Sequence, residues 1–321
     1  MIIVISNREV NVGAANDARL FGEGSNAKGL DEVRLATATK DETEKTKDQW
    51  TLELLPEPDT LTPETLPSRQ LFEKIVQKTK DGELTSEWVF YIHGYNQSFR
   101  KTLEASWDLE QTYGVNVIVF SWVANPGGFV LSEYKKARQA AKASSNAVDH
   151  SLEQLGTYLT GFIEELEDLD VGISLLVHSL GNFLVEQFVR SPVFSGETRI
   201  FENVIFHQPD VDHANHTEWI DRVVYGRRIY VTLNANDGVL GFSDIINPDR
   251  LGNTVRELNS KRVTYVDFTG GDNVRRRHNF FTGKQKNPVI KEFFKLVLTG
   301  QQGELIDGFQ RVSTPNRYTL T

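Results

Sequence analysis

Leu175-Leu176-Val177-His178-Ser179-Leu180-Gly181-Asn182 is an apolar strand that stops at a serine, and Phe183, Leu184, Phe188 and Val189 behind it carry helical spacing. Strand, tight turn and helix meet within a few residues. A turn this sharp lifts a serine hydroxyl above a sheet, while the positive end of the following helix faces negative charge developing there. Small residues on either side allow the close approach. Gly181 meets that need two residues after Ser179, whereas Val177 stands two residues before it, where glycine is usual.

Outward from this turn, short apolar runs alternate with helical segments from Ser86 onward, the pattern of βαβ units and a mostly parallel sheet. Strands are expected at Trp88 to Ile92, Val115 to Phe120, Ile173 to Val177, Val204 to Phe206, Ile229 to Leu233 and Val263 to Val266, all rich in Val, Ile, Phe and Tyr. Helices are expected around Ser98 to Leu109, from Val148 to Leu166 on an apolar face, and from Val289 to Val297. Tyr134 to Ala147 is rich in Lys, Ala and Ser, so a marginal, exposed helix is expected there, and residues 123–147 are a candidate lid.

Residues 1–85 lack helical periodicity. Strand-like pieces at Ile2 to Ser6, Val33 to Ala38 and Trp50 to Leu54 suggest a β-rich extension that adds antiparallel strands to the sheet, with residues 86–321 forming the core. The polar tail after Leu298 is expected to lie over the surface or fray.

An activated serine needs a base within hydrogen-bond reach and an acid that fixes the base's tautomer. In one widespread arrangement these follow in the order serine, acid, histidine. Asp237 sits in Asn234-Ala235-Asn236-Asp237-Gly238 after an expected strand, and His278 lies beyond the last one, beside Phe280 and Phe281. A turn aspartate and a surface histidine are the plainer alternatives. Val89-Phe90-Tyr91-Ile92-His93-Gly94-Tyr95-Asn96 ends a strand in His-Gly, where the amide of Tyr95 can join that of Leu180 as an oxyanion donor. Asp210 and Asp212 follow an earlier strand and are reserve acids. Asp212, His213 and His216 fall short of a metal set, so no metal is expected, and no other cofactor. Arg275-Arg276-Arg277 reads either as a solvated charge run or as a site for an anionic group on the substrate.

The H-G-Y-N segment, Phe120-Ser121-Trp122, His178-Ser179-Leu180-Gly181-Asn182, Pro209-Asp210-Val211-Asp212, Asn236-Asp237 and His278 together resemble the α/β-hydrolase superfamily, and within it a bacterial branch of unassigned substrate. The resemblance covers roughly Trp88 to Leu298. It implies an α/β-hydrolase fold, with Ser179 as nucleophile, Asp237 as acid, His278 as base, and Tyr95 with Leu180 as oxyanion donors. It implies no substrate beyond an acyl compound, whether a small molecule or a lipid, and Val177 departs from its pattern. The expected activity is that of a serine hydrolase on a carboxylic ester or related acyl bond. A silent hydrolase fold serving as an interaction module, and a hydrolase directed to phospholipids or other anionic esters, are the alternatives.

Composition narrows the rest. The 321 residues carry a formal charge of −9, which opposes the phosphate backbone, so nucleic acid is not an expected partner. There are no cysteines, which excludes disulfides and thiolate nucleophiles and fits a reducing compartment. Met1-Ile2-Ile3-Val4-Ile5 is too short for a signal-peptide core, and no run reaches the roughly 20 apolar residues of a membrane span. A cytoplasmic protein without a transmembrane segment is expected.

Overall fold

A computed structural model describes residues 1–11, 13–43, 49–58, 60, 62–125, 130–191, 199–312 and 316–321, with Val130 and Leu131 described in backbone alone. Two compact units are present: Met1–Phe90 with Asn96–Gly172, and Tyr91–Tyr95 with Ile173–Thr321. The lid candidate falls partly on residues 126–129, outside the described residues.

The first unit contains β1 (Ile2–Ser6), β2 (Arg8–Val10), β3 (Phe21–Ser25), β4 (Arg34–Lys40), β5 (Trp50–Leu54), α1 (Pro67–Lys80), most of β6 (Glu87–Ile92), α2 (Phe99–Tyr113), β7 (Asn116–Ser121), α3 (Val130–Ala143), α4 (Ser145–Gly161) and α5 (Ile163–Asp168). The strand β1 pairs parallel with β7 and antiparallel with β4, which pairs antiparallel with β5. These are the antiparallel N-terminal strands expected from the sequence.

Three expectations fail in this unit. Residues 67–80 form a helix, because Pro67 presets the first turn while Leu71 and Val76 bury one side. The alanine-rich segment is exposed on one side only: Tyr134, Ala137, Ala141, Ser144 and Ala147 are buried, while Lys135, Lys136, Gln139 and Lys142 face solvent. The helix after Val148 breaks at Phe162, directly after Gly161, so Ile163 leaves the apolar face and is 52% exposed.

The second unit contains β8 (Gly172–His178), α6 (Gly181–Arg190), β9 (Phe201–His207), α7 (Thr217–Ile220), β10 (Gly226–Leu233), α8 (Gly238–Ser243), β11 (Val263–Asp267), α9 (Pro288–Leu298), β12 (Phe309–Val312) and β13 (Arg317–Leu320). Here β8, β9, β10, β11 and β13 pair parallel in succession. The expected strands are all present, and the sheet is mostly parallel with flanking helices. The tail does not fray. Instead β13 extends the sheet beside β11, held by Arg317 donating to Asp267 at 2.6 Å and by buried Leu320, and β12 closes antiparallel on it.

No helix among the described residues is long and apolar enough to cross a membrane.

Candidate active site

Parallel strands point the same way, so side chains from distant segments meet beyond their carboxyl ends. Ser179 follows β8, Gln208 follows β9, Asn234 and Asp237 follow β10, and the segment leading to His278 follows β11.

The elbow at Ser179 is strained and held. Its φ is +54°, a region that costs a residue other than glycine about 1–3 kcal/mol and persists only where its surroundings fix it. The Ser179 amide donates to His207 O at 3.0 Å, and the Ser179 carbonyl accepts from the Asn182 amide at 3.0 Å, Asn182 Nδ2 at 2.9 Å and the Asp210 amide at 3.2 Å. Two glycines make the crossing possible. A Cβ on Gly94 would stand 2.7 Å from Ser179 Cβ, and one on Gly181 would stand 2.7 Å from His93 O, so neither position accepts a side chain. Val177 is fully buried within β8, opposite Phe206. The departure from glycine is absorbed there, because the tightest approaches fall on Gly94 and Gly181.

The backbone of Tyr95 follows Gly94 directly, and Leu180 sits where α6 begins, among amides that have no intrahelical acceptor. His93 is buried and donates from Nδ1 to Gly94 O at 3.0 Å, which orders this loop.

His278 Nδ1 donates to Asp237 Oδ2 at 2.7 Å. The bond places the imidazole proton on Nδ1 and leaves the Nε2 lone pair available. Asp237 is almost fully buried and caps α8, its Oδ1 accepting from the amides of Val239 at 2.8 Å and Leu240 at 3.0 Å. With its amide nitrogen turned toward the carboxylate, Gln208 donates to Asp237 Oδ2 at 2.9 Å. Asn234 secures the loop before His278 by donating to Arg275 O at 3.0 Å and Arg277 O at 2.9 Å, while the Gly238 amide donates to Arg276 O at 3.1 Å. Among the described residues no hydrogen bond joins Ser179 Oγ to His278 Nε2. The His278 ring lies 4.9 Å, centroid to centroid, from that of His178, the residue before Ser179.

A buried strut that the sequence did not single out joins the Ser179 turn to the His278 loop. His207 accepts the Phe280 amide on Nε2 at 3.2 Å, so its own proton sits on Nδ1 and is donated to Thr232 Oγ1 at 2.6 Å. Its carbonyl holds the Ser179 amide. One residue therefore fixes both the elbow and the segment after His278. Burial, followed by the neighbouring imidazoles, pushes the His207 and His178 rings well below the usual histidine range, so both stay neutral. Phe280 and Phe281 anchor the His278 loop: Phe281 packs on Tyr91, His178 and His207 at 5.7, 5.3 and 5.2 Å, and Phe280 packs on Phe268 at 5.3 Å.

The reserve acids lie elsewhere. Asp212 binds buried Arg250, and Asp210 accepts from Ser243 Oγ at 2.8 Å with Arg250 at 3.8 Å. Neither pairs with His278. His213 donates from Nε2 to Arg256 O at 2.8 Å, and His216 bridges His213 O and the Tyr265 hydroxyl at 2.8 and 2.6 Å, which are structural bonds. A cavity of about 520 Å³ lies within the first unit, lined by Ile3, Ile5, Leu71, Phe72, Leu155 and Tyr158 among others, and no candidate residue borders it.

Residues 68–277 match the family described as alpha/beta hydrolase of unknown function (DUF900). The chain belongs to this family. The matched span begins within α1 and ends one residue before His278, so it takes in Ser179 and Asp237. No curated protein and no solved structure matches the chain. As a member of the alpha/beta hydrolases the chain has the fold of enzymes that hydrolyse, in a family without an assigned substrate.

Proposed function

We propose that this alpha/beta hydrolase is a serine hydrolase that cleaves carboxylic esters or related acyl bonds through an acyl-enzyme. The observation that carries the reading is the 2.7 Å bond from His278 to Asp237 in the same unit as a serine held at φ +54° between a strand and a helix. Asp237 holds the base in the tautomer that exposes Nε2. His278 takes the Ser179 proton, and Oγ attacks the substrate carbonyl. The amides of Leu180 and Tyr95 stabilise the oxyanion, His278 returns the proton to the leaving group, and water releases the acyl group by the same steps in reverse order of roles.

The reading requires Ser179 Oγ and His278 Nε2 to come within hydrogen-bond reach when substrate binds, a contraction common to sites of this kind. Hydrolysis of a series of p-nitrophenyl esters tests it. The native chain is expected to turn over at least one of them, and Ser179→Ala to lose about 10⁴-fold or more of kcat. Undiminished hydrolysis by the alanine variant would overturn the proposal.

A further inference from the structure

Large apolar side chains exposed among the described residues concentrate in one place. Val239 is 53% exposed, Phe242 49%, Ile245 76% and Ile246 36%, all within eight residues of each other and directly after Asp237. Their spacing of three to four residues puts them on the outer side of α8 and the turns that continue it, while Leu240 and Ser243 face inward. The segment thus presents an apolar ridge with nothing in the unit covering it.

A second observation lies against the ridge. Arg275, Arg276 and Arg277 are exposed, and among the described residues none of their guanidinium groups is in an ion pair. They are not a loose charge run. Their carbonyls are pinned by Asn234 Nδ2 and by the Gly238 amide, and the Arg276 Nε lies 3.2 Å from where a Cβ on Gly238 would stand. The backbone that carries the cations is therefore fixed beside the start of the ridge, with the Arg276 side chain against Gly238. Acids of the ridge segment are occupied: Asp244 accepts from the Arg250 amide and Asn253, and Asp249 pairs with Arg256. Exposed Asp272 is the nearest carboxylate along the base's loop, and three arginines outnumber it.

We infer that this face docks the protein on an anionic lipid surface, the ridge entering the headgroup boundary and Arg275 to Arg277 meeting phosphate groups. Protruding apolar side chains flanked by unpaired cations match an anionic interface on both counts. A second copy of the chain would fit worse, because a two-fold contact on this face would bring its three arginines against three more. The chain's charge of −9 does not oppose docking, since charges more than about 10 Å from the surface are screened at physiological salt. Docking on this face brings the lipid next to the Asp237 loop, and that consequence for substrate choice rests on the serine hydrolase reading above: esters of membrane lipids become the substrate class.

Flotation with vesicles of phosphatidylcholine, with and without phosphatidylglycerol, tests docking by itself, using the full chain and its Ser179→Ala variant. Both are expected to float with the anionic vesicles and not with the neutral ones, and to be released by high salt. Phe242→Ser with Ile245→Ser, and separately Arg275→Ala with Arg276→Ala and Arg277→Ala, should each lower the partition by on the order of tenfold or more, with unchanged circular dichroism and melting temperature. Failure of the native chain to float, or floating that survives both variants, overturns the inference. A dimer that the Phe242→Ser and Ile245→Ser variant dissociates, with no vesicle binding, overturns it in favour of a second copy. Because Ser179→Ala is included, loss of hydrolysis with retained flotation separates the fate of this inference from that of the active site.

Discussion

Two buried polar networks, one in each unit, are built on opposite principles. In the first unit Arg8 is completely buried, and every one of its guanidinium nitrogens is engaged: Nε with Ser121 Oγ at 3.0 Å, Nη1 with Gly22 O at 3.3 Å and Glu23 at 2.8 Å, Nη2 with Gln97 O at 2.7 Å. That network closes on itself, as a buried charge must if it serves only to tie elements together. In the second unit Asp237 is saturated to the same degree, yet the chain of bonds running through His278 ends at Nε2, and among the described residues Ser179 Oγ has no hydrogen-bond partner. The supporting groups are fixed while the two atoms suited to chemistry are left uncommitted. Between these two networks the difference lies in the outermost atoms, engaged around Arg8 and, among the described residues, unengaged at Ser179 Oγ and His278 Nε2.

Substitutions can break this contrast. The largest effect is expected from Asp237→Asn, which keeps the cap of α8 but presents an amide to His278 Nδ1, favouring the wrong tautomer; ester hydrolysis should fall by about 10⁴-fold with little change in melting temperature. A small loss would mean that the Asp237 bond is merely structural. Next is His207→Phe, which removes the acceptor for the Phe280 amide and the donor to Thr232. Displacing the base's loop by about an ångström should lower kcat by about 10²-fold, with His207→Gln recovering part of it. Equal losses in both variants would deny the strut its role.

Arg8→Met should act on the other network alone, lowering stability by about 2–3 kcal/mol in denaturant titrations while hydrolysis per folded molecule is unchanged. A change in kcat would contradict the separation of the two networks. Acidification should give the smallest effect. His178 and His207 are held below the unfolded value of about 6.5, so beneath that pH the unfolded chain binds more protons and stability declines as pH falls. Melting temperatures measured from pH 7.5 down to 5 should drop more steeply in the native chain than in His207→Phe.

Much of the fold is legible in the sequence because buried parallel strands are continuous apolar runs with sharp ends, as in Val115 to Phe120 and Ile229 to Leu233. What escapes is decided by neighbours. Helix α1 carries its signal in Leu71, Phe72, Ile75 and Val76 amid charged residues, and α3 buries alanines that composition alone takes for a surface. The C-terminal strand β13 is short and polar except for Leu320, and it exists because β11 offers an edge to pair with. Ser179 and Asp237 are visible through their turns, the first by a strand-to-helix junction and the second by its place before Gly238. The sequence puts Asp237 ahead of Asp210 and Asp212 by its place alone; that Arg250, some 40 residues from the latter pair, folds onto them leaves no local mark. His207 is equally silent, its only local mark being its place at the end of β9.

Covalent labelling with a fluorophosphonate, followed by digestion and peptide mapping, tests the central assignment without a known substrate. One adduct is expected, on the peptide that contains Ser179, absent from Ser179→Ala and strongly slowed in His278→Ala. No adduct on the folded native chain, or an adduct on any other serine, would contradict the account.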